Sequence, residues 1–211
     1  MSDKYTFDNT WFAAVSSIWD NIFDQLCPSR YLEIGSFDGA SACYAIERIG
    51  EKEGGTVTCI DPWDLDYNVA QLTKYANMEE VLAAYEANVA VAVGGTPNPV
   101  HTTTYREKSS VTMPRLLVEG GPEQFDFIYI DGDHTAATVM LDAVLAFQLL
   151  LPGGILAFDD YLWGQSTLPT LQRPKTAIDA FVNSYAGQMV VLEAPLRQLY
   201  LLKPKREETP R

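Results

Sequence analysis

Carboxylates carry most of the chemistry open to this chain, and they fall into two groups. In the first, Tyr31-Leu32-Glu33-Ile34-Gly35-Ser36-Phe37-Asp38-Gly39 is an apolar strand running into an acidic, glycine-bearing turn. A second apolar run, Thr56-Val57-Thr58-Cys59-Ile60, ends on Asp61. In the second group, Asp131-Gly132-Asp133-His134 and Asp159-Asp160-Tyr161 each follow an apolar run. A strand, a glycine turn, a helix and a second strand closing on an acid make the pattern of a nucleoside-binding βαβ unit.

The loop says which nucleoside. A dinucleotide fingerprint needs a second glycine two places after the first, so that backbone can approach a pyrophosphate; counted from Gly35, that place holds Phe37. Glu33 and Asp38 around the helix mouth would repel a diphosphate but suit a cation. S-adenosylmethionine (SAM) fits, with ammonium and sulfonium charges and no phosphate, and Asp61 is placed to accept from the ribose hydroxyls. A dinucleotide oxidoreductase is disfavoured by Phe37 and Asp38. The bland reading is a plain strand-to-helix turn, with Gly35 and Gly39 present for backbone geometry alone.

Up to four carboxylates of the second group are expected on the same sheet edge as the loop. Unpaired like charges that close are costly, and a divalent cation would relieve the cost. With only His101 and His134 in the chain, a hard, oxygen-bound ion such as Mg²⁺ on Asp131, Asp159 and Asp160 is expected over a zinc site. It would bind a substrate oxygen and lower a hydroxyl pKa. Asp159 and Asp160 could instead cap the segment that follows. His134 reads equally as a general base or as a helix N-terminal residue bonded to an aspartate.

Elements able to position these groups alternate between β-rich and helical runs, as in a parallel α/β sheet. Ala42, Ala45, Ile46 and Ile49 recur at helical spacing; Met78–Val93 reads as a helix with Val81, Leu82, Tyr85 and Val89 on one face. His101–Glu107 has strand character, Ser109–Val118 reads as a short helix, Phe125–Ile130 as a strand and Thr135–Leu151 as a long helix with Val139, Leu141, Val144, Leu145 and Leu149. Pro152-Gly153-Gly154 should turn the chain into the strand Ile155–Phe158. Pro174–Ala186 reads as a helix with proline in its first turn. Met189–Glu193 and Arg197–Leu202 read as an antiparallel hairpin joined at Ala194-Pro195. Pro62-Trp63-Asp64-Leu65-Asp66-Tyr67 is acidic, aromatic and irregular. Trp63 and Trp163 are candidates for stacking on a ligand ring or for covering the pocket. Trp11, Phe12 and Trp19 suit core or dimer packing.

A chain of 211 residues with 47% hydrophobic content can bury one core, and nothing marks a second. The expected organisation is an N-terminal helical segment over 1–30, a domain over 31–203 with a lid insertion at 63–98, and a tail over 204–211. No run is long enough to span a membrane, and Met1-Ser2-Asp3-Lys4-Tyr5 lacks the pattern of a secretory signal, so a cytoplasmic protein with no membrane partner is expected. A formal net charge of −13 argues against nucleic acid as a partner. Cys27, Cys43 and Cys59 are odd in number and form no Cys-x-x-Cys pair, so they are expected as small core residues.

The order Glu33-x-Gly35-x-x-x-Gly39, Asp61, Asp131-Gly132-Asp133-His134, Pro152-Gly153-Gly154, Asp159-Asp160-Tyr161 and a closing hairpin resembles the class I SAM-dependent methyltransferases. Within them it is most similar to the small O-methyltransferase-like branch related to sugar and aminocoumarin O-methyltransferases. The resemblance runs from about Tyr31 to Lys203 and is specific for the superfamily rather than for a substrate. It implies an α/β, Rossmann-like fold whose mostly parallel seven-stranded sheet ends in an antiparallel hairpin, and methyl transfer to a hydroxyl of a small molecule with Mg²⁺ assistance. It also implies Glu33, Gly35, Ser36 and Gly39 around the methionine moiety, Asp61 at the ribose and Ser109 at the adenine, where many relatives carry aspartate in place of Lys108. Asp131 serves both cofactor and metal, Asp159 and Asp160 complete the metal set, and the base is Asp133 or His134. Relatives commonly form homodimers. The alternatives are transfer to nitrogen, or a SAM-binding protein of the same fold without methyl transfer.

Overall fold

A computed structural model of the chain describes residues 4–8, 10–64 and 74–206. Leu65, Asp66 and Tyr67 of the acidic aromatic stretch, the rest of the expected lid up to residue 73, and the end of the tail lie outside the described residues. Among those described, seven strands and six α-helices form a Rossmann-like α/β fold, a mostly parallel sheet with an antiparallel pair at its C-terminal end. The chain divides into two compact units, 1–109 and 110–211.

In the first unit, a 3-10 turn at Phe12–Ala14 leads into α1 (Ser16–Leu26), β1 (Arg30–Ile34), α2 (Ala40–Gly50), β2 (Gly55–Ile60), α3 (Met78–Gly94) and β3 (Val100–Tyr105). β1 pairs in parallel with β2, and β2 with β3. The β1 residues Tyr31, Leu32, Glu33 and Ile34 are all buried, as expected of a strand covered on both faces. Ala42, Ala45, Ile46 and Ile49 of α2 are buried at their expected spacing. Helix α3 begins with an Asn77 cap that accepts from the Glu80 amide while Glu80 accepts from the Ala76 amide, a variant of the capping box. Within the span expected as a lid, Val81, Tyr85, Val89 and Ala92 of α3 are buried. Phe12 and Trp19 pack inside, whereas Trp11 is half exposed. Cys43 and Cys59 are core residues, but Cys27 is exposed, because it closes α1 in the left-handed conformation.

In the second unit, α4 (Ser109–Gly120, its first residue shared with the first unit) precedes β4 (Phe125–Ile130), α5 (Ala136–Leu149), β5 (Leu150–Phe158), α6 (Pro174–Ser184), β6 (Val190–Val191) and β7 (Leu199–Leu202). β4 and β5 are parallel; β7 runs antiparallel to both β5 and β6. Three sequence expectations change here. Pro152-Gly153-Gly154 does not precede the strand but lies within β5 as an irregularity opposite Phe125–Phe127. It is held extended because the Gly153 amide bonds the Lys203 carbonyl and the Lys203 amide bonds the Gly154 carbonyl, with Gly153 at a φ of 88° that suits glycine. The link between β6 and β7 is the whole of 192–198, longer than a tight turn at Ala194-Pro195. On α5 the buried face is Ala136, Val139, Asp142, Ala143, Ala146 and Leu149, while Leu141 is exposed.

Candidate functional site

Each unit holds one of the two acidic groups. In the first unit the turn after β1 is fastened from behind. Asp61 Oδ2 accepts from the amides of Ser36 (2.9 Å) and Phe37 (3.0 Å), and its Oδ1 accepts from the Trp63 amide (2.8 Å). The Trp63 indole N–H donates to the Phe37 carbonyl (2.9 Å). Trp63 is 1% exposed with its ring on Tyr85, so it locks the loop from within and presents no face to a ligand. These bonds hold Phe37 at a φ of 48°, a strained value for a residue with a Cβ. Gly39, at φ 87°, starts α2 where a Cβ would come within 3.0 Å of the Tyr85 ring, so this position needs glycine twice over.

Glu33 is fully buried and accepts from the Tyr31 hydroxyl through Oε2. Glu33 Oε1 and Ser36 Oγ are buried without a partner in hydrogen-bond geometry. Burial pushes the Glu33 carboxyl up to about 7, with the neighbouring Tyr31, Ser36 and Ser41 hydroxyls pulling the other way. Burial also raises Asp61, against the amides it binds. Asp38 does not face a ligand: its Oδ2 accepts from the Asp8 amide (2.6 Å) and the Tyr75 hydroxyl (3.4 Å), and burial pushes it up to about 6. Ser109 is buried at the start of α4.

In the second unit the acids surround a small pocket lined by residues 130–134, Val139, Phe158, Asp159, Pro174 and Ile178. His134 Nε2 lies 2.9 Å from Asp160 Oδ2, and both side chains are about one-third exposed. The Trp163 indole packs on the imidazole with ring centres 4.5 Å apart, and its amide donates to the Asp160 carbonyl (2.8 Å). Asp160 sits at a φ of 52°, a third strained non-glycine position beside a candidate group after Phe37 and Trp63 (φ 42°). One ligand atom from each of Asp131, His134 and Asp160 falls within 4.8 Å of the others.

Asp159 is bonded differently. It accepts from the Tyr129 hydroxyl (2.6 Å) and the Asp160 amide (2.7 Å), and burial raises its pKa. Tyr129 also lies 3.1 Å from Asp131 Oδ2 and accepts from Gln198, which in turn accepts from Tyr200. Asp133 is exposed and binds the first turn of α5, through the Thr135 amide (2.6 Å) and the Thr138 hydroxyl (3.3 Å), which is helix-capping work. A base therefore finds better support in His134.

Sequence reasoning missed Tyr31, Tyr129, Gln198 and Asn88. The first two carry a readable signal: Tyr31–Glu33 and Tyr129–Asp131 share a spacing of two, which puts a tyrosine on the same strand face as the acid.

The chain matches the family described as a methyltransferase domain over residues 32–161. Tapetum-specific methyltransferase 1 of Arabidopsis thaliana is 26% identical over 133 residues, 63% of this chain and 46% of that protein. An uncharacterised protein of Acanthamoeba polyphaga mimivirus is 27% identical over 71% of this chain and 61% of its own length. The chain thus spans about half to three-fifths of these relatives. Similar solved folds include the O-methyltransferase TomG from Streptomyces achromogenes, in complex with SAM (TM-score 0.63, 16% identity, 97% of this chain and 83% of that one). The O-methyltransferase from Bacillus cereus, in complex with S-adenosylhomocysteine (SAH), is another (TM-score 0.62, 16% identity, 90% and 81%).

Proposed function

Since this chain belongs to the methyltransferase-domain family, we propose that it is a SAM-dependent methyltransferase that transfers the sulfonium methyl to a hydroxyl oxygen of a small molecule. The observation that carries the reading is the pair of buried oxygens behind the glycine turn, Glu33 Oε1 and Ser36 Oγ, which make no well-formed hydrogen bond although the Ser36 and Ser41 hydroxyls lie close to the carboxylate. A buried acceptor without a donor costs free energy. The methionine end of SAM supplies the missing partners: its ammonium donates to Glu33, and its carboxylate accepts from the Ser36 hydroxyl. Gly35 and Gly39 keep the turn open to that moiety. Asp61 has one of its four acceptor positions left for a ribose hydroxyl, and Ser109 stands for the adenine contact.

In the second unit His134 is the base. With its Nε2–H donated to Asp160, its Nδ1 lone pair can take the proton of the acceptor hydroxyl, and the Asp160 carboxylate stabilises the imidazolium. The C–S bond breaks as the C–O bond forms, SAH leaves, and the proton goes to His134. As an alternative to the base role, Asp131, His134 and Asp160 fit a divalent cation by their spacing, with the imidazole then a ligand and not the base; two carboxylates suit Mg²⁺, and the imidazole admits a transition-metal ion as well. A bound ion would polarise the acceptor oxygen. Asp159 would support that set through Tyr129 and the Asp160 amide. The acidic surroundings favour a neutral or cationic acceptor.

The test is transfer of label from radiolabelled SAM to a panel of small phenols, sugars and amines, with SAH measured in parallel. Labelled ether product with matching SAH supports the reading. Labelled amine alone moves it to nitrogen, and bound SAM with no product anywhere favours a SAM-binding protein without methyl transfer.

A further inference from the structure

Residues 4–8 form neither helix nor strand, so their backbone groups depend on side chains for partners. Those side chains come from the glycine turn, from α3 and from the residues just before it. The Thr6 amide donates to Asn88 Oδ1 (2.9 Å), and the Thr6 carbonyl accepts from Asn88 Nδ2 (2.8 Å) and the Tyr75 hydroxyl (3.1 Å). The Asp8 amide donates to Asp38 Oδ2 (2.6 Å), and the Lys74 ammonium donates to the Phe7 carbonyl. Asn88 Nδ2 also donates to the Asp38 carbonyl (2.9 Å). Asn88, buried on the otherwise apolar face of α3, thereby joins the N-terminal segment to the turn. Farther out, Trp11 and Tyr75 lie against the Phe37 ring with centres 6.2 and 6.4 Å away. The turn is thus held on both sides, by Asp61 and Trp63 within and by residues 4–8 without.

We propose that residues 4–8 are a strap on the outer side of the glycine turn whose fastening is coupled to nucleoside exchange, with Asp38 and Asn88 as the positioning residues at the turn and Glu47 of α2, bonded by Lys4 and Tyr5, as the anchor at its far end. The inference rests on the reading of this turn as the SAM site. None of residues 4–8 is buried and none belongs to a ladder or helix, so local opening there costs far less than unfolding. Two ties run through Asp38 itself, its carboxylate and its carbonyl, so a shift of the turn on binding reaches the strap. By reciprocity, loosening the strap changes how ligand is held.

The experiment measures dissociation of SAH, chased with excess SAM, for wild type, Thr6→Pro and Asn88→Ala, together with amide hydrogen exchange at Asp8 with and without SAH. Thr6→Pro removes the Thr6 N–H donor and fixes φ there, at an exposed position outside helix and strand, so it keeps the test valid if Asn88→Ala fails to fold. The strap predicts dissociation about threefold faster in Thr6→Pro and about tenfold faster in Asn88→Ala, with unchanged melting temperature in Thr6→Pro and slower exchange at the Asp8 amide when SAH is bound. Wild-type dissociation in Thr6→Pro with Asp8 exchange indifferent to SAH overturns the strap alone. A wild-type protein that binds no SAH overturns the reading of the turn and the strap with it.

Discussion

The two acidic regions hold their carboxylates in opposite ways. Glu33 and Asp38 are buried, Asp61 is partly so, and all three are bonded to backbone amides or tyrosine hydroxyls. Asp131, His134 and Asp160 are each partly exposed and gathered within reach of a single ion or proton. Buried, amide-bonded acids cannot reorganise cheaply, which suits a shape that binds. Partly exposed acids beside a histidine can exchange a proton or a cation, which suits a place where bonds change. The strained residues mark the same division: Phe37 is fixed by the bonds around a turn, whereas Asp160 turns its carboxylate onto a histidine.

If the division holds, substitutions should separate binding from turnover. The largest effect is expected from His134→Ala, with methyl transfer down about 10²–10⁴-fold and SAM affinity unchanged; an equal loss of affinity would erase the contrast. Next comes Asp61→Ala, which leaves the Ser36, Phe37 and Trp63 amides without their acceptor. A loss of about 2–4 kcal/mol in denaturant unfolding is expected, with SAM binding weakened by well over tenfold.

Glu33→Gln sharpens the comparison through pH. The folded-state pKa of Glu33 is raised to about 7, so the folded protein holds this proton more tightly than the unfolded chain does. Its favourable contribution is complete below about pH 4.5 and is lost as pH climbs towards 7. The glutamine variant escapes that loss, so its stability relative to wild type should grow by roughly 2–3 kcal/mol over this window, read from urea midpoints. A gap that shrinks with rising pH would mean that Glu33 is ionised and well paired. The smallest effect concerns the ion: millimolar Mg²⁺ should raise the melting temperature by about 1–3 °C, and Asp131→Asn should abolish the gain without touching that produced by SAM.

How much of this was readable in the sequence depended on whether the partner groups lay nearby in the chain. The bounds of β4 and the start of α3 follow from local periodicity and capping, and the Glu33, Gly35, Gly39 and Asp61 pattern lies within one βαβ unit. Asp38 looked like a ligand-facing carboxylate because its partner, the Asp8 amide, is 30 residues away. Asn88 is hidden in an apolar face that periodicity alone treats as uniform. Trp63 looked like a loop aromatic, but its indole finds the Phe37 carbonyl 26 residues earlier. Pro152-Gly153-Gly154 reads locally as a turn and is held in strand by Lys203, a residue from the far end of the fold.

The most direct test is a calorimetric titration of wild-type protein with SAM, and separately with NADH, at pH 7. The account predicts SAM binding on the order of micromolar and no heat with NADH, because the turn lacks the second glycine and is lined by acids. NADH binding, or no SAM binding, would contradict it.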